Sequence, residues 1–263
     1  DNDRKYFLAS LLSFYQQLYL FTKNQEKLTA YNLHKPLWVF VGNTVNAENS
    51  DILAVVEQLA YFLDGKNRTQ ILAWLNDLLC DEPLLLDSKG NAIFRHRFSP
   101  LANFKGDLNA LYSDILKTLF NTESASHLYL HNIKKASGEV ALKVGNNDYF
   151  ALINVGDSSE LLKSAVELEN VLVEQDEFLD GLFGSINKDS STLNLLIGSR
   201  KFTEGWSSWR VSTMGLLNMG RGEGSQIIQL FGRGVRLKGR NFSLRRTPIN
   251  EMPKGLGLDK LET

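Results

Sequence analysis

The chain has 263 residues, 43% of them hydrophobic, and its 29 basic and 30 acidic side chains leave a net charge of −1. A chain of this size buries roughly 70–75% of the surface that its unfolded form exposes, so it needs no disulfide staples; a composition 22% charged and 10% aromatic excludes disorder. The single cysteine, Cys80, rules out an internal disulfide and a thiolate metal cluster, and suits a reducing, cytoplasmic setting.

Apolar spacing at Leu8, Leu11, Leu12, Tyr15, Leu18 and Tyr19 predicts a helix over Tyr6 to Phe21. Gln16 and Gln17 interrupt that stretch, and it is shorter than the ~20 residues that cross a bilayer. It has no basic lead or small-residue cleavage site, so neither a membrane role nor a signal peptide is expected. With no initiator Met, Asp1 reads as the cut end of a longer protein. Leu37 to Val41, between Pro36 and Gly42-Asn43, reads as a strand buried on both faces, as in parallel sheets. Ser50 reads as the N-cap of a helix over Asp51 to Leu63.

Further helices are expected at Ile71 to Leu79 and Leu108 to Phe120, with a strand at Ala92 to Phe98 between them. Leu128 to Ile133, Glu139 to Val144 and Tyr149 to Val155, separated by turn-forming residues, read as an antiparallel meander. A helix capped by Ser158 or Ser159 runs to Leu168, and another is expected at Phe178 to Ile186. Leu193 to Ile197 and Val211 to Leu217 read as strands. Ser225 caps a short helix over Gln226 to Phe231, with Gly232 as its stop. The fold class is therefore α/β: one domain over 1–263, its parallel core built from about 1–63 and 190–263, with an insertion over about 64–189.

Ten basic residues and only Glu204 and Glu223 as acids lie between Arg200 and Arg246, a net +8 against −9 elsewhere. Such a segment is either a candidate anion-binding face or a solvated surface. Within it runs Gln229-Leu230-Phe231-Gly232-Arg233-Gly234-Val235-Arg236. Arg233 and Arg236 repel each other unless an anion sits between them. A phosphate fits, because guanidinium forks match its oxygens bidentately. Gln229, one helical turn earlier, can orient a water near such a phosphate.

This Q-x-x-G-R-x-x-R element resembles motif VI of superfamily 2 helicases and translocases. Glu204-Gly205-Trp206 within Ser199 to Val211 resembles their motif V, and Pro36 to Val45 their motif IV. The run Ile197 to Gly239, with Trp206-Ser207-Ser208-Trp209, is similar to the DEAD/DEAH-box helicase subunits of type III restriction endonucleases, as are Gly138 to Leu142 and Tyr149 to Asp157. Motifs V and VI in this order, ~20–30 residues apart and after a buried strand, form a specific pattern.

The resemblance implies a second RecA-like lobe of the P-loop NTPase type, with ATP held between it and a first lobe that carries the P-loop and the acidic Mg²⁺ motif. It implies that Arg233 and Arg236 act as arginine fingers and that Gln229 helps place the attacking water. Gly205, Ser207 and Gly232 would join them around the nucleotide, and Asn43, Thr44 and Thr203 would contact the nucleic-acid backbone. DNA, the missing N-terminal RecA-like lobe and a modification methyltransferase are the partners it implies. Two departures stand out. Ser207 occupies a position where many relatives carry Asp, and no G-x-x-x-x-G-K-[ST] or D-E-x-H motif occurs, so this chain is not expected to hydrolyse ATP alone. No nuclease pattern appears either; a nuclease domain would follow Thr263. The competing readings are a non-catalytic nucleic-acid-binding module that uses the basic segment, and a lobe of an RNA helicase.

Other residues read as structural. Trp206 and Trp209 are expected to pack in the core or between lobes, and Cys80 to be an inert core thiol. His127 and His131 share a strand face but lack a third ligand for a metal. Gly220 to Ser225 reads as a loop and not as a phosphate cradle.

Overall fold

The computed structural model describes residues 1–29, 31–42, 50–199 and 206–217, with Ile228, Gly232 and Phe242 in addition. The first helix, α1 (Asn2–Thr29), outruns its predicted span at both ends and kinks at Asn24. It buries the predicted stripe of Leu8, Leu11, Leu12, Tyr15, Leu18 and Tyr19. Strand β1 (Leu37–Gly42) is buried at every position. Helix α2 (Asp51–Leu63) starts after Ser50 at the N-cap. Helix α3 (Arg68–Leu79) follows a short turn in which the Asp64 carboxylate accepts the amide of Lys66. Helix α4 (Leu108–Phe120) begins where Asp107 accepts the amide of Ala110 and ends at left-handed Asn121.

Strands β2 (Leu128–Ile133), β3 (Glu139–Val144) and β4 (Ala151–Asn154) form the expected meander. Helix α5 (Ser159–Ala165), strands β5 (Val171–Asp176) and β6 (Leu195–Ser199), and strand β7 (Val211–Leu216) follow.

Two expectations fail. The strand predicted at Ala92 to Phe98 is a series of turns, with one isolated bridge from Ala92 to Leu86. Asp81 captures the amide of His96 at 2.6 Å and holds His96 at a positive φ of 58°, which no strand tolerates. The helix predicted at Phe178 to Ile186 shrinks to a single 3₁₀ turn at Phe183–Ser185. Its leading amides are taken by carboxylates from outside: Asp176 accepts from Phe178 and Leu179, and Glu139 from Leu182 and Phe183. Strand β5 was not foreseen.

The seven strands of the described residues belong to one mixed sheet, in the order β5-β2-β3-β4-β6-β1-β7. Only β3 runs against the rest. The meander placed in the insertion is thus sheet-continuous with the predicted core, through β4 beside β6. Helices α1 to α5 all pack on one face, around Trp38, Phe40, Leu195 and Ile197. Among the described residues the opposite face, with Val39, Val41, Leu152 and Leu196, is covered by no helix longer than a turn. Residues 177–194 cross it as an irregular strap that buries Ile186 and Leu193 and leans Leu179, Leu182 and Phe183 against it.

Candidate functional site at the carboxyl edge

In an open parallel sheet, ligands gather outside the carboxyl ends of the strands. Here β6, β1 and β7 are adjacent and parallel, so Ser199, Gly42 and Leu216 end at one edge. Glycines fix two close approaches there. A Cβ on Gly42 would stand 2.9 Å from Cβ of Asp51, so only glycine lets the first turn of α2 sit against the strand end. A Cβ on Gly215 would stand 2.4 Å from the Phe40 ring. Ser50 and Asp51 are buried at the start of α2, where a carboxylate favours the positive end of the helix dipole.

Segments 43–49 and 200–205 and the chain from 218 onward each continue directly from this edge. Asn43, Thr44, Thr203, Gly205, Gln229, Arg233 and Arg236 belong to these segments and lie outside the described residues. Of the helix expected over Gln226 to Phe231, Ile228 alone is described, and it is helical. Gly232 is also helical, so it is not the stop assigned to it, and it has room for a Cβ. Ser207 is described and sits in the crossover from β6 to β7. Its carbonyl accepts from Asn187 Nδ2 at 3.2 Å.

Two expectations about side chains change. Cys80 is exposed, not a core thiol. Trp206 packs with its ring 6.1 Å from Phe183, and Trp209 is 45% exposed. Arg210, counted within the basic face, is buried at the amino end of β7. Its guanidinium donates to three main-chain carbonyls: Lys35 at 2.9 Å, Leu193 at 2.6 Å, and Ile186. Burial pulls the Arg210 guanidinium down to about 10 despite the opposing influence of Asp189. Burial, and then Arg210, pull the Lys35 amine down to about 8. Composition could not reveal this, because the carbonyls that hold Arg210 come from distant segments.

His131 is buried and His127 exposed. Among the described residues no three His, Cys, Asp or Glu side chains group as a metal site, and no helix is long and apolar enough to cross a membrane. Comparison with protein-family models, curated proteins and solved structures finds no match to this chain.

Proposed function

We propose that this chain is the second RecA-like lobe of an ATP-dependent DNA helicase or translocase of superfamily 2, of the type III restriction kind, working in the cytoplasm. The observation that carries the reading is the shared carboxyl edge of β6, β1 and β7, from which the segments resembling motifs IV, V and VI all continue. A nucleotide at that edge would meet Arg233 and Arg236, whose forks suit phosphoryl oxygens. Their task is to neutralise charge as it builds on those oxygens, and Gln229 orients the attacking water. Mg²⁺ is assigned to the companion lobe, because this chain has neither a P-loop nor an acidic Mg²⁺ motif. Asn43, Thr44 and Thr203 contact the DNA backbone, and Gly205 and Gly232 border the nucleotide; Ser207, whose carbonyl holds Asn187 beside the Arg210 cluster at the amino end of β7, stands apart from that edge.

The test joins this chain to its P-loop lobe and measures DNA-stimulated ATP hydrolysis. Arg233→Ala or Arg236→Ala is expected to lower kcat by about 10³-fold or more while ATP affinity changes little; full turnover in both variants sinks the reading.

The net +8 segment favours a second reading, a nucleic-acid-binding module without catalysis. It predicts DNA binding by this chain alone that weakens steeply with salt, as phosphate contacts release counterions. Burial of Arg210 already removes one of the ten cations on which it draws.

A further inference from the structure

Four side chains form an array across the sheet face opposite the helices. His131 on β2 is 7% exposed and lies beside the rings of Tyr129 and Tyr149, with centroids at 6.2 and 5.6 Å. Its Nε2 is 3.3 Å from Oε2 of Glu174, its register partner on β5, at ion-pair distance but without hydrogen-bond alignment. Its Nδ1 is 3.3 Å from Tyr149 Oη, and Tyr149 Oη is in turn 3.3 Å from Asp176 Oδ2. The other oxygen of Asp176 accepts the amides of Phe178 at 3.0 Å and Leu179 at 2.8 Å, where the strap begins.

A proton count shows what this array lacks. It has three gaps: carboxylate to imidazole, imidazole to phenol, and phenol to carboxylate. Each is filled by one proton. A neutral imidazole and a phenol supply two between them, so one gap stays open. Only the imidazolium fills all three.

We propose that Glu174, His131, Tyr149 and Asp176 form a proton-operated clasp. One proton taken up by His131 fills the open gap, commits the Tyr149 hydroxyl to Asp176, and tightens the hold of that carboxylate on the strap.

The charged groups around His131 oppose one another. Glu174 and Asp176 on β5 favour the proton. Lys143 on β3, its amine 5.6 Å from the Tyr149 ring centroid, disfavours it. Burial first, and then Lys143, hold the His131 imidazole below its ordinary range against the two carboxylates. The clasp therefore stands open at neutrality and closes only below the pH at which an ordinary histidine takes up its proton. Asp176 remains a carboxylate throughout, because the amides of Leu179 and Phe178 hold it below the usual range.

The experiment is an NMR titration of the whole chain downward from about pH 7, through and below the range in which ordinary histidines titrate, until the His131 ring is fully protonated. It follows the His131 ring and the amide-exchange protection factors of Phe178 and Leu179. Both factors are expected to rise about threefold to tenfold through the His131 midpoint, the worth of one hydrogen bond. In Tyr149→Phe, His131 still titrates and the two amides no longer follow it; in His131→Gln the response is absent. Protection that stays flat or falls through the His131 midpoint in the unaltered chain overturns the proposal, and so does a Tyr149→Phe response equal to the unaltered one. The unaltered chain decides the matter even where a variant fails to fold.

Discussion

At the residue scale, Arg210 is a buried cation whose guanidinium is held by three main-chain carbonyl oxygens. Removing it leaves three main-chain acceptors short of a donor, so Arg210→Met is expected to lower stability by about 2–4 kcal/mol in denaturant unfolding. Lys35 gives a pH prediction with a definite sign. Its folded-state pKa is lowered to about 8 from 10.5, so in that window the unfolded chain holds more protons than the folded one. Stability rises with pH wherever that is true. Denaturation midpoints between pH 8 and 10.5 should therefore show a gain for the natural chain that Lys35→Met lacks; equal curves refute the assignment. Residue types at this scale were legible in the sequence, but their partners were not. Arg210 counts like any other basic residue until Lys35, Ile186 and Leu193 are brought around it.

At the element scale, periodicity and caps located the regular pieces well. Asp51–Leu63 and Leu108–Phe120 fall where the apolar spacing puts them, because each buries one continuous stripe. The two elements that failed to form share one cause: a side chain from elsewhere in the chain captured the local backbone. Glu139 takes the amides of Leu182 and Phe183, and Asp81 takes that of His96, and no window of neighbouring residues contains both partners. Strand β5 was missed because it exposes Leu172, Glu174 and Gln175, and only pairing with β2 makes it a strand. Gly138 tests how tightly the meander turns. At φ +80° it would place a Cβ 1.8 Å from the carbonyl oxygen of Val155. Gly138→Ala is therefore expected to cost about 2 kcal/mol or more in thermal or denaturant unfolding, with the loss centred on the β3–β4 pairing. A variant as stable as the original would show that the turn can relax.

At the scale of the whole molecule, the α/β class was legible because β1 and β6 read as continuous apolar runs. The placement of α1 to α5 on one face was not, since periodicity says that a stripe is buried but not against which face. Nor does the sequence show that the meander shares a sheet with the core: β4 pairs with β6 through main-chain groups, which leave little trace in side-chain pattern. This continuity predicts a single cooperative unit. Amides of β3 and β1 should exchange through the same global opening, with one denaturant dependence in native-state hydrogen exchange. A separate, earlier opening of β2 to β4 would mark residues 64–189 as independently folding.

The direction of synthesis gives the buried guanidinium a further consequence. Arg210 bonds to a carbonyl 175 residues earlier in the chain. At about 5–20 residues per second, that carbonyl waits on the order of ten to thirty seconds for its donor. Over the same interval β1 emerges apolar on both faces, while its two neighbours, β6 and β7, are still untranslated. Helices α1 and α2 can cover its Trp38 and Phe40 face early, but both hydrogen-bonding edges of this strand lack their partners until nearly the end of the described chain is made. Newly made copies should depend on holding chaperones far more than refolded ones.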